Sequence, residues 1–184
     1  MQRMRKRVSA LLALSFMAAT VLTAGSAQAA SGNGPYYAEP AWSQKLPAAT
    51  RFVVLTNWAS QAVLDRETGL VWEQSPAITP HDWSNARFQC MNRTTGGRKG
   101  WRIPSVHELD SLMDPSVARP GPTLPAGHPF TNVLSTFYWS ATTVAEVPAV
   151  AWVVIFIDGV VNTFGKTNPG QVWCVRGGSN ADAH

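Results

Sequence analysis

Ten residues near the middle of the chain, Gly100-Trp101-Arg102-Ile103-Pro104-Ser105-Val106-His107-Glu108-Leu109, set the first condition on the fold. Trp101 and Ile103 flank Arg102 in a short extended run, and Pro104 biases Ile103 away from the helical region. Ser105 and Glu108 then stand at the S-x-x-E spacing of a capping box, in which each side chain serves a backbone amide of the other's turn. Val106, Leu109, Leu112 and Met113 give the helix that follows one apolar face. The stretch is a strand-to-helix junction with a fixed entry angle. It specifies architecture and no chemistry.

Composition means little until the beginning of the chain is set aside. Arg3, Arg5, Lys6 and Arg7 precede an apolar run at 8–22, and Ala27-Gln28-Ala29 fits a small-residue cleavage site with Ala29 last. The run is short and no stop-transfer pattern follows, so residues 1–29 are expected to be a secretory signal peptide rather than a membrane anchor. The formal charge of +4 lies wholly in that leader: taking its four basic residues from 15 leaves 11 Lys and Arg against 11 Asp and Glu. A balanced mature chain gives no ground for a nucleic-acid partner. No later apolar run is long enough to span a bilayer, so the expected location is the periplasm or the cell exterior.

The sequence has two cysteines, Cys90 and Cys174. In an oxidising compartment such a pair is most simply one disulfide, closing a loop of about 85 residues worth roughly 4 kcal/mol in the chain-entropy model. The competing reading, a redox or metal pair, lacks a C-x-x-C motif and a histidine at ligand spacing.

Along the mature chain, residues 30–51 are rich in Ala, Gly, Pro and Ser and are expected to be a flexible tail, with Tyr36, Tyr37 and Trp42 as docking points. The folded domain is expected over 52–178 and a disordered tail over 179–184. Short β-prone runs occur at 52–55, 62–65 and 70–73, the last two joined by a four-residue hairpin loop ending in Gly69. Thr79 suits the N-cap of a first helix, with Pro80 at its first position and Asp82 at the favourable end of the dipole. Trp83, Ala86, Arg87, Cys90 and Met91 then fall on one helical stripe. Residues 114–129 are a long loop rich in Pro and Gly. The C-terminal part is β throughout. A strand at 138–143 is followed by one at 150–157 with Trp152, Val154 and Phe156 on one face and Val153, Ile155 and Ile157 on the other, hence buried on both sides. Asp158-Gly159 signals a two-residue turn, and residues 171–176 close the sheet.

Five blocks in order carry a family resemblance: D-x-x-T-G-L-x-W (Asp65, Gly69, Trp72), W-R-I-P-S-x-x-E-L (Trp101, Arg102, Pro104, Ser105, Glu108), Tyr138-Trp139-Ser140, the run from Trp152 to Gly159, and Trp173-Cys174-Val175-Arg176. The chain resembles the Lcl C-terminal domain family of exported bacterial proteins. That resemblance implies an α+β, C-type-lectin-like fold, with two short helices on a twisted, mainly antiparallel sheet and one disulfide. More distantly, it implies kinship with formylglycine-generating enzymes, whose W-R-L-P-T-x-x-E block is similar. Some proteins carrying the domain act in adhesion and glycosaminoglycan binding. Ile103 and Ser105 stand where Leu and Thr are usual, and both keep the strand and the cap.

Catalytic and metal sites are not signalled. There is no G-x-S-x-G, and H-E-x-x-H fails because Ser111 stands where the second histidine would be. His81, His107, His128 and His184 are scattered. No calcium loop occurs, nor any E-P-N, Q-P-D or W-N-D signature of calcium-dependent sugar binding. No cofactor is indicated. Arg93, Arg98 and Lys99, flanked by Arg87 and Arg102, form a basic loop that reads either as an anion-binding site or as ordinary solvated charge. Trp101, Trp139, Trp152 and Trp173 could stack on sugars if exposed, though strand tryptophans belong more often to a core.

The expected function is therefore that of an exported, non-catalytic binding module of the cell envelope or surface. Its expected partners are sulfated or other glycans, or an envelope protein, and its ligand face is expected to form from loops at 93–100, 114–129 and 163–170. The alternatives are an enzyme related to the formylglycine-generating group and a structural subunit of a surface appendage.

Overall fold

The computed structural model describes residues 46–178. The expected signal peptide and its cleavage at Ala29, the docking residues Tyr36, Tyr37 and Trp42, His184, and the tail at 179–184 lie outside the described residues. Ahead of Phe52, inside the stretch expected to be a flexible tail, stands a single helical turn, α1 (Ala48–Arg51). Arg51 is buried and forms a two-pronged pair with Asp65, donating from Nε to Oδ1 at 2.9 Å and from Nη2 to Oδ2 at 2.8 Å. The D-x-x-T-G block builds that acceptor. The Glu67 N–H and the Thr68 hydroxyl both donate to the Asp65 carboxylate at 3.0 Å, and Gly69 turns the chain with φ +70°.

Two sheets and two further helices complete the α+β fold. β1 (Phe52–Val54), β2 (Ala62–Asp65), β3 (Val71–Glu73) and β9 (Val175–Arg176) form an antiparallel sheet in that order. The second sheet has the order β4 (Ala77–His81), β8 (Gly170–Val172), β5 (Phe137–Thr143), β6 (Val150–Ile155) and β7 (Val160–Gly165), with β5 and β8 parallel and the other pairs antiparallel. One closing strand was expected at 171–176. Instead β8 and β9 enter different sheets, and Trp173-Cys174 is the step between them.

The helix α2 (Trp83–Met91) starts later than Thr79. Its N-cap is Asp82, whose carboxylate accepts the Asn85 N–H at 2.9 Å. Thr79 and Pro80 lie in β4 instead. That strand is the sheet's edge, where a missing N–H is tolerated. Trp83, Ala86 and Cys90 face inward as the stripe requires, but Met91 is exposed. The turn after β6 also differs from expectation. Ile155 pairs with Val160, so four residues, 156–159, make the reversal, with Gly159 at φ +71°.

β6 serves two apolar clusters at once. Val154 and Phe156, with Trp152 half-buried beside them, join Trp72, Trp173, Tyr138, Leu109 and Leu112. Ala151, Val153 and Ile155 face the other way, towards Trp83, Cys90, Trp101, Trp139 and Val172. Burial pushes the Tyr138 hydroxyl up to about 12, and it accepts the Leu134 N–H as a neutral member of the core. Cys90 and Cys174 are bonded with a Cα–Cα distance of 5.4 Å, tying α2 to the step between the sheets.

The W-R-I-P-S-x-x-E block forms the expected junction. Arg102 exchanges two backbone hydrogen bonds with Val175, at 2.9 and 2.8 Å, and Pro104 accepts the Ala141 N–H. α3 (Val106–Asp110) follows with its capping box complete: the Glu108 N–H donates to Ser105 Oγ at 3.2 Å, and the Ser105 N–H to Glu108 Oε2 at 2.9 Å. Arg102 also grips Glu108 through both guanidinium nitrogens, at 2.6 and 2.7 Å. His107 is exposed, and Leu109 and Leu112 are wholly buried, each worth roughly 2 kcal/mol.

Candidate functional site

An open groove of about 840 Å³ lies where the first sheet meets β4 and the end of α2. Its walls come from residues 59–61, 73–78, 92–95 and Asn132. The carboxamides of Gln61, Gln74, Asn92 and Asn132 and the hydroxyls of Ser60, Ser75, Thr94 and Thr95 make most of its surface chemistry polar and uncharged. Several are braced. Gln61 Oε1 accepts the Gly96 N–H at 2.8 Å, Gln74 Nε2 donates to the Pro129 carbonyl at 3.3 Å, and Asn132 Nδ2 donates to Ser75 Oγ at 3.0 Å.

The backbone is bent out of its ordinary range at the rim. Among the described residues, three that are not glycine have left-handed φ: Ala59 at 52°, Ser60 at 55° and Asn132 at 56°. All three line this groove. Each such residue costs of order 1 kcal/mol or more and persists only where the surroundings hold it.

Glu73 is the groove's buried charge. Its Oε1 accepts the Thr95 hydroxyl at 2.8 Å and faces Arg93 Nε at 3.3 Å, while Oε2 accepts the Cys174 N–H at 3.3 Å. Burial pushes the Glu73 carboxyl above its usual value, and Arg93, Thr95 and the Cys174 amide offset part of that rise. The Arg93 contact is an ion pair without hydrogen-bond alignment, and Arg93 Nε is buried with no hydrogen-bond partner.

The expected basic loop is thereby divided. Arg93 belongs to the groove wall. Arg98 leaves it and lies over Trp58 with its guanidinium carbon 5.3 Å from the ring centroid. Arg176 approaches the same ring at 5.6 Å and donates from Nε to the Lys99 carbonyl at 2.9 Å. Gly96 permits this packing, since a Cβ there would stand 2.8 Å from Trp58 Cβ. Lys99 itself is exposed. Arg102 takes no part, being held by Glu108. Arg98 and Arg176 thus gather over Trp58 outside the groove's lining, and of the basic loop only Arg93 lines the groove itself.

The other sequence candidates are structural. Trp101, Trp139 and Trp173 are buried, with indole N–H groups donating to the carbonyls of Arg98, His81 and Glu73, each at 2.9 Å. Trp72 is buried against Trp173, and Trp152 is half-buried. Of the three expected ligand loops, only 93–100 contributes to this groove, through Arg93, Thr94 and Thr95; those at 114–129 and 163–170 do not line it. Gln61, Gln74 and Asn132 escape sequence reasoning because they lie far apart along the chain, and no local signal joins them. Among the described residues, no group of three or more His, Cys, Asp or Glu is gathered to hold a metal.

Fold and groove together define a small α+β domain, fastened by one disulfide, with an open polar cleft braced by strained backbone. The chain belongs to the Lcl C-terminal domain family, whose model matches residues 61–176. No curated protein matches it.

Proposed function

We propose that this chain is an exported, non-catalytic binding module of the cell envelope, and that it holds a glycan in the groove beside Glu73 and Arg93. The observation that carries the reading is the gathering of all three left-handed non-glycine residues around one cleft lined with carboxamides and hydroxyls. Such groups present paired donors and acceptors that suit the hydroxyls of a sugar. Arg98 and the exposed Lys99 lie outside the groove's lining, on the loop that continues from its wall at Thr95, and Arg98 meets Arg176 over Trp58. These cations favour a ligand long enough to bring a sulfate or carboxylate to them. The lectin-like architecture implied by the family supports the same reading.

The alternative of an oxidising enzyme related to the formylglycine-generating group draws no support from the cysteines. Cys90 and Cys174 are bonded to each other and wholly inaccessible. A structural role in an appendage has no particular feature in its favour.

Binding of the oxidised protein to neutral and sulfated glycans across a salt series tests the proposal. A groove ligand is expected to bind with a salt-resistant part that N132G and Q61A weaken, and a salt-sensitive part that R98Q and K99Q remove. Absence of binding to every glycan would sink the reading and leave a protein partner as the better one.

A further inference from the structure

α2 presents two unlike faces. Trp83, Ala86 and Cys90 point into the core, while Ser84, Arg87, Phe88 and Met91 form the outward stripe at the i, i+3, i+4, i+7 spacing. Phe88 is 65% exposed and Met91 67%, and Ile78 on neighbouring β4 is 62% exposed. These are the three most exposed large apolar side chains among the described residues. Phe88 and Met91 line one shallow depression of about 260 Å³ with Trp83, Ser84 and Arg87, while Ile78 lines the separate groove and stays outside this pair. A lone exposed apolar side chain is unremarkable, but this grouping marks a surface that something covers.

Two cations stand beside it without a counter-ion. The Trp83 ring holds Lys166 Nζ at 3.9 Å and the Arg87 guanidinium carbon at 4.8 Å from its centroid. Lys166 is fixed at both ends: Nζ donates to Thr143 Oγ1 at 2.9 Å, and its carbonyl accepts the Trp83 N–H at 3.0 Å. Among the described residues, the ion pairs formed by Arg51, Arg93, Arg102 and Arg119 leave Arg87 and Lys166 out. Asp82, next to Trp83 in the sequence, is turned to Asn85 through both carboxylate oxygens. Burial, and then the charge of Arg87, hold Lys166 below the usual lysine range, as expected for a cation whose charged neighbour is another cation.

We infer that the outward face of α2, with Lys166 beside it, docks this protein on an anionic lipid surface. Arg87 and Lys166 would meet headgroup phosphates while Phe88 and Met91 enter the boundary with the acyl chains. Charge and apolar side chains are interleaved here on the scale of one lipid headgroup. A standard protein interface takes roughly 20–30 residues from each side, whereas this patch is one face of a nine-residue helix with Lys166 beside it. A soluble anion would use the cations and leave Phe88 and Met91 uncovered. No helix of the described residues is long and apolar enough to cross a membrane, so this is contact from one side. The inference is independent of the glycan groove, and N132G serves to separate the two.

The test is flotation of the protein, as purified from its producing cells, with vesicles of equal parts phosphatidylglycerol and phosphatidylcholine, or of phosphatidylcholine alone. Two interfacial charges predict roughly 30-fold stronger partition to the anionic vesicles, falling as salt is raised. R87Q/K166Q should abolish that preference. F88S/M91S should weaken binding by at least about tenfold, while N132G and V160S on β7 leave it unchanged. Retention of the disulfide and of the near-ultraviolet dichroism shows that each variant is folded. Equal partition to both vesicles, full binding by F88S/M91S, or saturation of the site by inorganic phosphate or sulfate with no flotation would each overturn the inference.

Discussion

α2 and α3 are both short, both begin at a side-chain cap, and both press buried residues into the core. Their remaining faces differ. Around the start of α3 the polar groups have found protein partners: Ser105 and Glu108 cap each other, Arg102 closes on Glu108, and the Val106 N–H donates to Thr142. The charges are neutralised where they stand, so this corner of the domain is occupied with holding itself together. α2 leaves Phe88 and Met91 uncovered, and Arg87 is matched only with an aromatic ring that already carries a lysine. The family's W-R-I-P-S-x-x-E block therefore marks the element with least to offer a partner. The helix without a signature carries the available surface.

Substitutions can break this contrast or sharpen it. The largest effect is expected inside α3. L109A removes a wholly buried side chain and should cost about 3 kcal/mol in denaturant unfolding with the disulfide intact. S105A, which removes one half of the capping box, should cost about 1 kcal/mol by the same measurement. A subtler test lies outside both helices, at Glu73 on β3. Its folded pKa is raised by burial, so the native state holds that proton more readily than the unfolded chain. Its contribution is most favourable below the ordinary carboxyl range and falls as pH climbs from there to the raised value. Unfolding of E73Q across mildly acidic pH should show that slope flattened. The smallest effect belongs to α2's outer face: F88S and M91S should each leave stability within about 0.5 kcal/mol of the native chain. A large loss there would mean that this face is covered in the folded protein, and the contrast would fail.

What could be read in advance follows the range of each interaction. The capping box and the Gly69 turn are written within ten residues and stand as expected. The strand expected at 150–157 is two-faced as far as Phe156, but it ends at Ile155 and leaves Ile157 exposed where the chain turns. The start of α2 was misread because Thr79-Pro80 has the look of a helix start, whereas Asp82 has the free carboxylate facing Asn85. Only the position of β4 at a sheet edge, a fact of tertiary structure, explains why Pro80 can sit in a strand. The basic loop was read as one patch because Arg93, Arg98 and Lys99 are neighbours in sequence. Glu73, twenty residues earlier, draws Arg93 out of it. The groove was beyond reach because four separate segments build it: Ser60 and Asn132 are ordinary turn residues, and nothing local says that their turns meet.

The step at Trp173-Cys174 also has a consequence for timing. β8 completes the sheet of β4 and β5, β9 completes the sheet of β3, and Cys174 closes the disulfide with Cys90. All three closures come from residues 170–176 and reach partners that were synthesised long before. A chain emerging from its N-terminal end would carry two unfinished sheets, an unpaired thiol and an exposed Trp72 until that last stretch arrived. Such distant pairings slow folding and prolong the exposure of sticky strands. Neither sheet, nor the disulfide, can be completed until residues 170–176 are in hand.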